Sequence, residues 1–297
     1  MKAISLILIF ALLLGLLSGC ASGSEAADIA ATTLPVYQFT SMLVDGTDLT
    51  VTRLVTENVS CLHDYSLSVR QVKAAESADV IVTNGAGLED FMSDLLQDKK
   101  TIDASSGITL LERCHDHEHA HALTEDAHDH DHEHDSHIWL SPANAMVMAE
   151  NICAGLKAQY PQHGAIFEGN LTSLLAQLQE LLDYGNAQLA ALSQRELVTF
   201  HDGFAYFADC FDLHILAAVE EEAGAETSAK QLIELIELVE HHGLSAVFTE
   251  TNGSDASAKV IAAETGVSLY TLDMAMAGDD YFAAMRHNID TLREALT

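Results

Sequence analysis

The sequence predicts an α/β protein of two Rossmann-like lobes with parallel sheets, joined by one long rigid helix. Three observations predict it. Short β-rich runs alternate with helical patterns from Asp28 to residue 105. A second alternation runs from residue 196 to 296. Between them lies the longest helical pattern of the chain, roughly Ala165 to Leu192. Such alternation lays helices over a parallel sheet.

The elements follow in order. LTVTRLV (49–55) reads as a strand, and residues 66–78 as a helix with Val69, Val72 and Ala75 on one face. ADVIVTNGAG (78–87) is a buried strand entering a glycine turn, LEDFMSDLL (88–96) a helix, and KTIDAS (100–105) a short strand. NGAGLE resembles a phosphate loop in outline. It lacks the third glycine and the Lys-Ser/Thr pair, so a tight βα turn is the better reading. After HIWLSP, Pro142 to Ala158 reads as a helix. In the long pattern, leucines at 171, 174, 175, 178, 181 and 182 mark a helical stripe. At 1.5 Å per residue that helix would span about 42 Å, longer than one small domain needs.

The second rhythm is ELVTF (196–200) strand, FAYFADCF (204–211) helix, LHILAAV (213–219) strand and SAKQLIELIELVEHH (228–242) helix. It continues as LSAVFTE (244–250) strand, SAKVIAAETG (257–266) helix, VSLYTLD (267–273) strand and a closing helix over 280–296. Gly243 and Gly266 fall where helix C-caps belong.

The chain has 297 residues, 48 % of them hydrophobic, so a large core is affordable. Its 13 Lys and Arg face 45 Asp and Glu, a formal charge of −32. That field repels nucleic acid and attracts cations. At the N-terminus one Lys precedes an apolar run from Ile4 to Leu17, too short for a transmembrane helix. Leu17-Ser18-Gly19-Cys20 resembles a bacterial lipobox, which implies cleavage before Cys20 and acylation of its thiol. Several acyl chains would anchor the protein to the outer face of the cell membrane. The remaining cysteines are Cys61, Cys114, Cys153 and Cys210. Export permits disulfides, and three complete pairings are possible.

Chemistry-bearing side chains collect where strands end. His63 lies in CLHDY after a predicted strand, His137 in DSHIWL, His201 directly after ELVTF, and Asp273 closes VSLYTLD. The carboxyl ends of strands line the ligand crevice in open α/β sheets. The four positions fall two in each predicted lobe, and three imidazoles with one carboxylate suit a borderline-soft divalent ion. Asp64 and Asp202 follow their histidines, either as outer hydrogen-bond partners or as helix N-caps. No HExxH, GxSxG or paired Cys–His nucleophile occurs, so an enzyme is not expected.

The strings HDYSLSVRQVKAAESADVIVTNGAGLE, HIWLSPANAMVMAENI, VTFHDGFAYFADCF, AVFTE and LDMA occur in this order. They resemble the metal-specific solute-binding proteins of bacterial ABC transporters, with the zinc-uptake branch the nearest match. The resemblance covers almost the whole mature chain. It implies a metal held between the lobes by His63, His137, His201 and Asp273, with Glu250 as a structural or outer group. Manganese-binding relatives usually place Glu at the position of His201, so this imidazole points to Zn²⁺ as cargo. The implied partners are a membrane permease and its ATPase, and the implied protein is a monomer.

Residues 115–134 carry eight histidines, nearly all alternating with Asp or Glu: His115, His117, His119, His121, His128, His130, His132 and His134. A polar, aperiodic run of this kind should be a mobile loop that binds zinc more weakly and less selectively than a preorganised site. The expected organisation is a signal peptide (1–19), a tether (20–27), an N-terminal lobe (28–160) containing the His-rich loop (114–136), a linking helix (161–192) and a C-terminal lobe (193–297). Alternative functions are manganese or iron uptake on the same fold, or a zinc-binding surface adhesin.

Overall fold

The computed structural model describes residues 27–59, 62, 65–112, 134–220 and 227–297. Cys20, Cys61, His63, Asp64, Cys114 and His115 to His132 lie outside the described residues, as does the expected signal segment.

The first half is built on a four-stranded parallel sheet of order β2-β1-β3-β4: β1 (Ile29–Ala31), β2 (Val51–Arg53), β3 (Val80–Thr83) and β4 (Thr101–Asp103). Helix α1 (Leu34–Val44) follows β1, with a proline in its first turn, where the missing N–H costs nothing. Neither β1 nor α1 has its own signature among the sequence patterns. Helix α2 (Val69–Ser77) opens on a capping box in which Ser68 and Gln71 satisfy each other's backbone amides. Its buried face matches the expected one at Ala75 but not at Val69, which is 72 % exposed, while Gln71 is buried. The Gln71 Nε2 donates to Leu54 O at 2.9 Å and to the Tyr65 hydroxyl at 2.6 Å, so a polar side chain ties the helix to the chain after β2.

Residues 88–96 form less helix than expected. A 3₁₀ turn (Asp90–Met92) runs into the single turn of α3 (Ser93–Leu96). Glu89, which precedes them, turns its carboxylate back toward β3. It accepts N–H bonds from Asn84 at 2.8 Å and Gly85 at 3.0 Å, and the Thr32 hydroxyl at 2.6 Å. The NGAG turn therefore turns two of its amides onto an internal carboxylate and a third, that of Ala86, onto the Ser105 hydroxyl, which fits the tight-turn reading. A Cβ on Gly85 would lie 2.0 Å from Asp103 Oδ1, and its φ is +81°, so both space and conformation require glycine there.

Helix α4 (Pro142–Gln159) is capped by Ser141. The long helix α5 (Gly164–Leu189) has 26 residues, or about 39 Å at 1.5 Å per residue. It buries Phe167, Leu174, Leu178, Leu181, Gly185 and Leu189. It packs on α1 and α4 at one end and on α9 (Tyr281–Leu296) at the other, so one helix spans both halves.

The second half holds β5 (Glu196–His201), α6 (Ala205–Cys210), β6 (His214–Glu220), α7 (Ala229–His242), β7 (Ala246–Glu250), α8 (Ala256–Thr265) and β8 (Ser268–Leu272). All its strand pairs are parallel. Among the described residues, however, the ladder is split into β5-β6 and β7-β8, with β5 packed beside β7. Gly243 and Gly266 adopt left-handed conformations as the C-caps of α7 and α8. The cap of α6 is Phe204, without a side-chain bond, so Asp202 is not its N-cap. Cys153 and Cys210 are free thiols. No helix among the described residues is long and apolar enough to cross a membrane.

Candidate metal centre

Two of the isolated histidines meet where the halves join. His137 and His201 are each 1 % exposed, and their ring centroids lie 5.3 Å apart at an interplanar angle of 81°. His201 is the last residue of β5. His137 stands at the head of a 3₁₀ turn (Ile138–Leu140). They come from segments 64 residues apart (201 − 137), on opposite sides of the long helix in sequence.

The orientation of His137 has a clear cause. Its Nδ1 lies 2.7 Å from Asp135 Oδ1, and its backbone N–H donates to the same oxygen at 2.8 Å. Donation from Nδ1 leaves Nε2 with its lone pair. That Nε2 is buried and has no hydrogen-bond partner among the described residues. A buried acceptor without a partner is costly, and an imidazole held in this way presents that lone pair to a metal ion.

The surrounding frame is dense. The Trp139 Nε1–H donates to Met274 O at 2.7 Å, and the Tyr281 hydroxyl donates to Trp139 O at 2.8 Å. Asn84 Nδ2 donates to Ser136 O at 3.0 Å, so the βα turn after β3 holds the residue beside His137. Gly203 leaves room for both rings. A Cβ there would lie 2.6 Å from Met274 Cε, 3.0 Å from His201 Cδ2 and 3.2 Å from His137 Cε1.

Asp273 follows β8 and is half-buried. Its backbone is clamped to Asn288 of α9, which accepts its N–H and donates to its carbonyl, both at 2.7 Å. Its Oδ1 accepts the Ala275 N–H at 2.7 Å, and its Oδ2 lies 3.5 Å from the Thr251 hydroxyl. Glu250 ends β7 and is buried, with the Gly253 turn against its Cβ. His134 forms an antiparallel bridge with Glu112 and is exposed. Among the described residues no three His, Cys, Asp or Glu side chains gather tightly enough to hold a metal ion. The structure thus joins His137 to His201, while Asp273 stands with its carboxylate engaged locally. His63 lies outside the described residues, between a buried Leu62 and a Tyr65 whose hydroxyl donates to Glu57 at 2.6 Å.

Sequence reasoning missed three residues here. Asp135 and Ser136 look like the tail of the His-rich loop, yet they are 1 % and 2 % exposed and belong to the frame. The DSH spacing, a carboxylate two residues before an imidazole, was the available signal. Tyr206 looks like an ordinary core aromatic, but its hydroxyl donates to Asp135 O at 2.8 Å. Burial pushes that phenol up to about 12, so it keeps its proton.

The family model described as ZnuA, the periplasmic component A of a zinc-uptake complex, matches residues 29–295. The zinc-binding protein AdcA of Streptococcus pyogenes serotype M3 is 32 % identical over 285 residues, covering 89 % of this chain and 55 % of the relative. The zinc-binding lipoprotein AdcA of Streptococcus pneumoniae R6 is 32 % identical over 317 residues, covering 99 % of this chain and 61 % of the relative. The chain therefore spans little more than half the length of these relatives. A crystal structure of ZnuA superposes with a TM-score of 0.79 at 30 % identity, covering 92 % of this chain and 100 % of that one. The Zn(II)-bound ZnuA-like domain of Streptococcus pneumoniae AdcA gives 0.74 at 28 % identity, covering 92 % and 99 %.

Proposed function

This chain belongs to the ZnuA family of zinc-uptake components, a family of solute-binding receptors and not of enzymes, and we propose that it captures Zn²⁺ outside the cell and delivers it to an ABC-type permease. The observation that carries this reading is the pair His137–His201. Two buried imidazoles from different halves converge, and one presents a buried Nε2 that has no partner among the described residues.

His137, His201 and His63 supply the nitrogen ligands, and Asp273 the oxygen that completes a four-coordinate site. Asp273 must exchange its contacts with Ala275 and Thr251 for the ion. Asp135 fixes the His137 tautomer, and buried Glu250 is an outer structural group. No bond in the cargo is made or broken, so the work of the protein is selection, retention and release. Imidazoles select against manganese, which prefers oxygen ligands. The frame around Trp139 selects geometry because its hydrogen bonds cross between the halves.

Acylation of Cys20 holds the receptor at the membrane, where a monomer docks on the permease and the ATPase drives uptake. The histidines from His115 to His134 form an accessory collector of lower affinity, because each chelate there must order a polar chain. The two AdcA relatives are named zinc-binding, and one is named a lipoprotein, in line with this assignment. It is tested by the metal content and zinc affinity of the purified mature protein beside His63→Ala, together with zinc-limited growth of a deletion strain. Normal growth of that strain under zinc limitation, with zinc affinity unchanged in His63→Ala, would contradict it.

A further inference from the structure

We infer that Tyr206 is a positioning residue of the metal centre, holding Asp135 and through it the Nε2 of His137. The inference rests on the reading of His137 as a zinc ligand.

Tyr206 is 3 % exposed and sits on α6, five residues after His201 (206 − 201). Its hydroxyl makes two bonds that use both of its capacities. It accepts the Leu111 N–H at 3.0 Å and donates to Asp135 O at 2.8 Å. Leu111 in turn accepts the Asp135 N–H at 2.9 Å. Leu111 and Asp135 are 24 positions apart (135 − 111), and one phenol pins both. The next link is the Asp135 carboxylate, which takes the Nδ1 and the backbone N–H of His137.

Two consequences follow. First, α6 begins just after one imidazole and grips the support of the other, so it ties the two rings together from one rigid element. Second, the bond from Tyr206 comes from the second half, whereas Asp135 belongs to the first. It therefore resists the shear that would separate His137 from His201. A tyrosine present only for packing would need no hydroxyl, and phenylalanine would serve equally well.

The test is Tyr206→Phe in the full mature chain, which keeps the ring and removes the hydroxyl. Zinc affinity is read by competition with a chromophoric chelator, and site geometry by the visible absorption of the Co²⁺-loaded protein. Loss of the direct partner of a ligating histidine typically costs about 10–100-fold in affinity; Tyr206 stands one link further out, so a smaller but measurable fall is expected here, with an altered Co²⁺ spectrum. Asp135→Ala and the double variant complete a cycle. The two losses should be strongly non-additive, because both act on His137 through one path. A lower melting temperature for Tyr206→Phe with zinc affinity and Co²⁺ spectrum unchanged would make Tyr206 a structural residue only and overturn the inference. His137→Ala separates the two claims. If it abolishes tight binding while Tyr206→Phe does not weaken it, the inference alone fails. If His137→Ala binds zinc normally, the reading of the site fails and takes the inference with it.

Discussion

Asp135 Oδ1 lies 2.7 Å from His137 Nδ1, and both side chains are 1 % exposed. A buried carboxylate is thereby committed to a buried imidazole at the junction of the two halves. This fixes which nitrogen of His137 is available to a metal.

Removing that carboxylate should weaken zinc binding about 10–100-fold, the usual cost of losing an outer partner of a ligating histidine. Asp135→Ala should lose more than Asp135→Asn, because the Asn oxygen can still accept from Nδ1. Isothermal or chelator-competition titrations of the two variants check the order.

Gly203 offers a steric test. Its missing side chain makes room for Met274, His201 and His137. Gly203→Ala should displace one or both imidazoles and lower zinc affinity. The overpacking should cost about 1–3 kcal/mol of stability. Denaturant melts of the metal-free variant separate that cost from the loss of affinity.

Exchanging His201 for Glu replaces a nitrogen ligand by oxygen. His201→Glu should move the preference from zinc toward manganese. Competition between the two ions, followed by metal analysis after dialysis, reads the change directly. An unaltered zinc preference would remove His201 from the ligand set.

Glu89 predicts a pH effect away from the site. Burial raises its carboxyl from the ordinary 4.5 to about 7, against the bonds from Thr32, Asn84 and Gly85. Between those values the folded chain holds a proton that the unfolded chain has released. Stability contributed by this group is therefore present below 4.5 and is lost as pH rises through about 7. Melts of the metal-free protein across this range should show that fall, and Glu89→Gln should flatten it.

Much of the architecture was legible because burial repeats at fixed intervals. The leucines at 174, 178 and 181 trace the buried stripe of α5, and Gly243 and Gly266 mark the helix ends they cap. The places of His137 and His201 at element ends were legible, and the structure brings their rings together. Other features carry no periodic signal. β1 is three residues long and wholly buried, too short to show alternation. Gln71 is buried where Val69 was expected, because its amide satisfies Leu54 and Tyr65. Asp135 is hidden by its context, since it closes a run in which acids alternate with histidines. The spacing to His137, two residues on, is the one mark that sets it apart from Asp129 or Asp131 in the sequence.

The central claim is that the isolated histidines, and not the histidine run, hold the ion tightly. It is tested most directly by zinc competition titration of the mature protein, of His201→Ala, and of a chain lacking residues 115–134. The account predicts that the tightest site disappears in His201→Ala and survives the deletion, which should remove only weaker sites. Loss of the tightest site on deletion, with normal affinity in His201→Ala, would contradict it.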